Sequence, residues 1–247
     1  MMLVIFIVVV LTPFLGALAT FFTGFGLNTL LVPVFMLYFD APLAVLMASI
    51  VHLCNNILKV ALTARSINWQ LFKNFGLPAV LFAFIGAYLL NQFNGLTSVP
   101  LEPIFGAILM LFALLELFNW QVPLQGPWAM RVGGILSGFF GGFSGHQGAL
   151  RAMFLSKLRM EPIVFVATTA IISFLVDLTR GSVYFSDTRS IHPIDAVFYA
   201  LPGALLGTLV GRKYIHKVNH ARLSQIVGLA LFTMGLAMLL GYFTPIL

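Results

Sequence analysis

Two short polar clusters interrupt otherwise apolar sequence, Gly26-Leu27-Asn28-Thr29 and Ser144-Gly145-His146-Gln147, and Arg151 follows four residues after the second. Side-chain amides and hydroxyls donate hydrogen bonds to an oxyanion without bonding to it covalently. A glycine beside them lets the backbone come close. A guanidinium adds a planar pair of donors that matches two oxygens of a carboxylate or sulfonate. Gly26, Asn28, Thr29, Ser144, Gly145, His146, Gln147 and Arg151 are therefore candidate binding residues for a small anion. His146 could also carry a proton, because small shifts move an imidazole across neutral pH. A second polar set, His52, Asn55 and Asn56, lies in one apolar stretch, where positions 49, 52, 56 and 59 follow helical spacing and should face the protein interior. Asp177 precedes Arg180 by three residues, a spacing that places both on one helix face. His52, Asn55, Asn56 and Asp177 are candidates for proton coupling or for lining a pathway. Each residue also has a plainer reading: amides joining helices, hydroxyls bonded to their own backbone, Arg151 snorkelling to the surface, and Asp177 paired with Arg180. Lys59 and Arg180 read as locally partnered or snorkelled charges.

Covalent chemistry finds little support. Neither G-x-S-x-G nor H-E-x-x-H occurs, Ser144 with His146 is the only conceivable nucleophile and base, and no catalytic residue is assigned. Without G-x-x-x-x-G-K-[ST], ATP hydrolysis within the chain is not supported. Cys54 is the single cysteine, which excludes an intrachain disulfide and a thiolate cluster. No metal or cofactor is expected.

The elements that must position these residues are membrane helices. Of 247 residues 60% are hydrophobic and 8% charged, and the mean hydropathy is +1.04. A soluble domain carries about a quarter charged residues. The net charge of +6 is scattered over short loops without an aromatic-interleaved patch, so nucleic acid is not an expected partner, whereas lipid is. Apolar runs predict ten segments at 2–22, 27–38, 42–64, 72–92, 103–120, 130–143, 147–158, 162–180, 195–213 and 222–241. The segments 27–38, 130–143 and 147–158 are too short to cross about 30 Å of hydrocarbon. If every segment reverses direction, Arg65, Lys73, Arg131, Lys157, Arg159, Arg212, Lys213, Lys217 and Arg222 share one side and Asp40, Glu102, Asp187 and Asp195 the other. That is the positive-inside pattern of an inner (plasma) membrane protein with both termini outside the cytoplasm. Arg189 is the exception.

The chain also resembles itself. Phe25-Gly26-Leu27-Asn28 matches Ser144-Gly145-His146-Gln147, Asp40-Ala41-Pro42 matches Met160-Glu161-Pro162, Asn56 to Lys59 matches Asp177 to Arg180, and Leu77-Pro78-Ala79 matches Leu201-Pro202-Gly203. Four ordered matches at nearly constant offset predict two repeats, residues 1–120 and 130–247, joined by a linker at 121–129. Five segments per copy give the copies opposite orientations. The expected fold is all-α and polytopic, with broken or re-entrant helices whose tips meet near the midplane, since irregular backbone at that depth survives only against protein or a water-filled cavity. Helix N-termini there would favour an anion.

Gly24-Phe25-Gly26 with Pro33, Asn68-Trp69 after a basic loop, and Ser144-Gly145-His146-Gln147-Gly148-Ala149-Leu150-Arg151 resemble the TauE/SafE sulfite exporter family, also called the toluene sulfonate uptake permease family. The likeness extends over nearly the whole chain. It departs from the family pattern at Leu27-Asn28, where further glycines often stand, and at Arg151-Ala152-Met153, which replaces a proline-containing continuation. The resemblance implies proton-coupled transport, by a secondary exporter, of sulfur-containing or carboxylated anions such as sulfite, sulfonates or sulfoacetate. A passive anion channel and an intramembrane hydrolase are the alternatives, and the sequence leaves homo-oligomerisation open.

Overall fold

The computed structural model describes residues 10–19, 27–95, 100–118, 126–155, 158, 160–187, 195–214 and 220–242. Among them the secondary structure is helical throughout, in the order α1 (Val10–Ala19), α2 (Leu27–Met36), α3 (Ala41–Thr63), α4 (Trp69–Leu71), α5 (Leu77–Gly95), α6 (Leu101–Leu117), α7 (Pro127–Ser144), α8 (Gly148–Leu155), α9 (Pro162–Asp187), α10 (Asp195–Tyr214) and α11 (His220–Leu239). A π-turn over Phe72–Gly76 joins α4 to α5, so these two run on as one rod. Asn68 starts that rod, its side-chain oxygen accepting from the Leu71 amide at 2.9 Å. Three helical stretches, Ala41–Ser66, Trp69–Phe93 and Pro162–Phe185, are long and apolar enough to cross a membrane. Large apolar side chains such as Leu81, Phe84, Phe198 and Ile226 point outward, which suits lipid and not water. Trp69 and Trp128 are also exposed, as interfacial tryptophans are. This is the all-α, polytopic membrane architecture the sequence predicts.

Some boundaries differ. α9 extends seven residues past Arg180, because that charge is neutralised inside the protein and does not end the helix at a membrane face. α7 begins at Pro127, a residue suited to a first helical turn, and its 18 residues make it longer than the short segment expected there. α2 with 10 residues and α8 with 8 are only about 15 and 12 Å long, too short to cross. α7 and α8 pack together as a hairpin that turns at Gly145, whose φ of +81° is left-handed and favours glycine. Gly26, Arg189, Lys157, Arg159 and Lys217 lie outside the described residues.

Small residues let the helices touch backbone to backbone. A Cβ on Gly134, Gly138 or Gly142 of α7 would fall 2.2, 2.0 and 2.0 Å from the carbonyl oxygens of Phe75, Ala79 and Ala83 respectively. The order shows that α7 runs parallel to the rod containing α5. Gly203 and Gly207 of α10 meet the carbonyls of Val10 and Phe14 of α1 in the same parallel sense. α6 and α11 cross antiparallel, and a Cβ on Gly106 or Gly235 would fall 2.8 Å from the other's carbonyl oxygen. α3 packs against α9 at the centre, α5 against α9, and α10 against α3. These pairings map onto themselves when helices α1–α6 are exchanged with α7–α11 in order, the rod α4–α5 counting once. The helix directions also gather Arg65, Lys73, Arg131, Arg212, Lys213 and Arg222 at one end of the molecule and Asp40, Glu102 and Asp195 at the other.

Candidate functional site

The crossing of α3 and α9 carries buried charge. Asp177 is buried there and accepts three hydrogen bonds: from Arg180 Nη2 to Oδ1 at 2.6 Å, and from His52 Nδ1 at 2.6 Å and Asn56 Nδ2 at 3.1 Å to Oδ2. The carboxylate fixes the tautomer, since an Nδ1 that donates must carry the hydrogen. His52 and Asn56 stand one turn apart on α3, so a single stripe delivers both donors, as the helical spacing predicts. The ion pair of Asp177 with Arg180 is present as expected, but Arg180 is fully buried and does not snorkel.

Arg180 reaches further, its Nη1 donating to the Gly141 carbonyl at 2.9 Å. Asn28, at the start of α2, lies beside this guanidinium. With its amide turned so that nitrogen donates to the Ala48 carbonyl at 3.1 Å, its oxygen accepts from Arg180 Nη1 at 3.0 Å and from Nη2. The opposite orientation sets the amide nitrogen against guanidinium donors and leaves it the Gly145 carbonyl at 3.3 Å. In both, the first turn of α2 touches the glycine turn of the α7–α8 hairpin. A Cβ on Gly145 would lie 2.9 Å from Arg180 Nη1. Arg180 thus ties Asn28, Gly141 and Asp177 into one network at the meeting point of the two polar clusters.

The other candidates divide into three groups. Ser144 donates back to the Phe140 carbonyl of its own helix at 3.1 Å, the plainer behaviour of a membrane hydroxyl. Asn55 faces α10, its oxygen accepting from the Thr208 hydroxyl. It therefore stands apart from His52 and Asn56. Thr29, His146 and Gln147 are buried. The His146 ring stacks on Phe112 with centroids 6.0 Å apart and has the Ser144 backbone nearby, yet neither ring nitrogen makes a hydrogen bond of ordinary geometry. The Gln147 backbone carbonyl accepts from Ser137 at 3.0 Å while its buried side-chain amide has no partner. An orphaned buried amide costs about 1–3 kcal/mol, which a bound anion or water would recover.

Towards the basic end a small, partly open cleft lies between α3, α8 and α9, lined by Asn56, Lys59, Arg151, Val166, Thr169, Ala170 and Ser173. Arg151 is only 3% exposed; its Nη1 donates to the Thr169 carbonyl at 3.2 Å and to the Ser173 hydroxyl. It does not snorkel. Asn56 links this cleft to the Asp177 network. Lys59, which the sequence reading takes as a locally partnered or snorkelled charge, and Thr169 and Ser173, which it does not single out, line this cleft. The signal was present, because His52-Asn56-Lys59 and Ser173-Asp177-Arg180 repeat the same i, i+4, i+7 spacing in the two matched stretches.

A helical bundle that turns large apolar side chains outward and keeps Lys59, Arg151, Asp177 and Arg180 inside is a multi-pass membrane protein of the kind that handles charged solutes. The family model described as sulfite exporter TauE/SafE matches residues 5–238, and the chain belongs to that family. Membership makes it a membrane permease or exporter of the sulfite and sulfonate type. Comparison with the curated proteins and with the solved structures gave no match.

Proposed function

We propose that the chain is a secondary transporter that exports small sulfur-containing or carboxylated anions, such as sulfite, sulfonates or sulfoacetate, coupled to protons. The observation that carries this reading is the cleft in which Lys59 and Arg151, both buried, converge with the hydrogen-bonding side chains of Asn56, Thr169 and Ser173. Charges at membrane depth cost several kcal/mol and persist where a pathway needs them. The self-mapping helix pairings support two inverted repeats, 1–120 and 130–247 with a linker at 121–129, and the short α2 and α8 support tips that stop at mid-depth. The basic end faces the cytoplasm by the positive-inside rule, which puts the protein in the inner (plasma) membrane with both termini outside. The cleft then opens inward, while Asn28, Arg180, Asp177 and the Gly145 turn close the opposite side. Access alternates when the repeats exchange these arrangements. His52 and Asp177 are the groups through which a proton crosses, because they share one short hydrogen bond beside Asn56.

A hydrolase would need Ser144 activated by His146, whereas the Ser144 hydroxyl is engaged with Phe140. Flux in proteoliposomes, measured over a panel of sulfite, sulfonates and carboxylates with and without a pH gradient, tests the proposal. Saturable flux that rises with the gradient supports it, and unsaturable flux indifferent to the gradient would indicate a channel. No flux over the whole panel refutes it.

A further inference from the structure

Asn28 and Gln147 match in the two halves of the sequence, yet one amide is fully engaged and the other holds nothing. In the orientation that satisfies it, Asn28 donates to the Ala48 carbonyl at 3.1 Å and accepts from the Arg180 guanidinium. The Gln147 side chain is 2% exposed, and neither its nitrogen nor its oxygen has a hydrogen-bond partner. An orphaned amide raises the free energy of the arrangement that leaves it so.

The same matching supplies partners for Gln147. Asn56 to Lys59 matches Asp177 to Arg180, so Lys59 stands where Arg180 stands, and eight residues before the matched Asn56 and Asp177 lie Ala48 and Thr169. α3 and α9 are unbroken over these stretches, which keeps the register. Lys59 and Thr169 both line the cleft. The Thr169 carbonyl accepts at 3.2 Å from Nη1 of Arg151, which follows Gln147 by one helical turn. The acceptor that corresponds to Ala48 is therefore held by a neighbour of Gln147. Helix packing agrees: among the described residues α2 packs closely on α3, whereas α8 lies against α7 and α6 and meets α9 far less.

We propose that Gln147 is the latch that closes the cleft in the oppositely facing state. As α8 approaches α9, the Gln147 amide nitrogen takes the Thr169 carbonyl from Arg151 and its oxygen accepts from Lys59, while Asn28 releases Ala48 and Arg180. A side-chain amide suits this exchange because it carries donors and an acceptor on one planar group. Each state then leaves one of the two amides unsatisfied, which keeps the states close in free energy, as a carrier that visits both requires. The inference rests on the reading of two inverted repeats with alternating access and adds the residues that trade places.

In a Cys54→Ala background, Val166→Cys puts a thiol in the cleft wall apart from the latch groups. Its labelling by a membrane-impermeant thiol reagent from the side that carries Arg65 and Arg212, with no anion present, reports how often the cleft is open. Asn28→Leu removes the latch that is shut in this structure and should slow labelling. Gln147→Leu removes the one that closes the cleft and should label at least as fast as the parent. The expected gap between the two variants is at least about tenfold. Gln147→Asn, which places the amide of Asn28 at the matched position, should stay within about threefold of the parent. Should Asn28→Leu not fold, Gln147→Glu replaces it in the comparison: a carboxylate holds Lys59 more strongly than an amide does and should label at least about tenfold more slowly than Gln147→Leu. A smaller gap, or slower labelling of Gln147→Leu than of the parent, overturns the latch. Because no anion is present, that result leaves the cargo and its proton coupling untouched, whereas absent flux over the anion panel with the gap intact refutes the cargo reading alone.

Discussion

Removing the Asp177 carboxylate should be among the most damaging single changes available in this protein. Asp177→Ala takes a counter-charge from 2.6 Å of Arg180 Nη2 and an acceptor from His52 and Asn56, all at positions shielded from solvent. Two charge centres about 4 Å apart at an effective dielectric of 20 interact by about 4 kcal/mol, and breaking one side of a buried pair costs about 3–5 kcal/mol. Arg180 keeps the Gly141 carbonyl and Asn28, so the lower half of that range applies. For a chain of this size a loss of 3–4 kcal/mol lowers the melting temperature by roughly 6–16 °C. Arg180→Gln should cost less than Asp177→Ala, because the carboxylate it leaves behind still accepts from His52 and Asn56. The double variant Asp177→Ala/Arg180→Gln should recover at least about 2 kcal/mol relative to the sum of the singles, as coupled neighbours do. Thermal unfolding and a reversible denaturant titration in one detergent supply the four corners of the cycle. If Asp177→Ala lowers stability by under about 1 kcal/mol, or if the singles simply add, the pair does not hold the centre of the fold and the reasoning fails.

Gly138→Ala would drive a Cβ to 2.0 Å from the Ala79 carbonyl oxygen, so α5 and α7 must separate; the expected cost is about 1–3 kcal/mol, seen as lower melting temperature and yield. Gly181→Ala meets nothing within 4 Å and should be neutral or stabilising by up to about 1 kcal/mol in the same assay. Tyr184→Phe deletes the hydroxyl that donates to the Gly142 carbonyl at 2.5 Å in a buried setting and should cost about 1–3 kcal/mol of unfolding free energy. Ser144→Ala loses only a bond within its own helix, so proteoliposome flux should stay within about twofold of wild type; a collapse of flux with the fold intact would assign Ser144 a direct role.

The class of fold was legible because lipid imposes it. Sixty per cent hydrophobic residues with 8% charged leave only membrane helices, and the breaks at glycine and proline mark most element ends. Boundaries failed where a charge was read as a surface marker. Arg180 was expected near a membrane face, yet α9 carries it through the interior because Asp177, one turn earlier, makes it neutral. Lys59, read in the same way as a locally partnered or snorkelled charge, is buried and lines the cleft. Sequence spacing shows which residues share a face and cannot show that the face meets another charged stripe across a helix crossing. The amide pair Asn28 and Gln147 shows the converse. They match in sequence, but Asn28 is engaged by Arg180, whereas the Gln147 side chain has no protein partner. Packing around each residue decides that. Asn55 was grouped with Asn56 by proximity in sequence, while the 100° step between adjacent helical residues turns it to Thr208 on α10.

Accessibility of the cleft itself tests the central claim most directly. In a Cys54→Ala background, Thr169→Cys places a thiol in the cleft wall beside Arg151. A membrane-impermeant thiol reagent should label it from the side that carries Arg65 and Arg212, and saturating sulfoacetate should slow that labelling by at least about tenfold. Labelling at an unchanged rate with every anion of the transport panel present would show that the cargo does not bind between Lys59 and Arg151, and the account would be wrong at its centre.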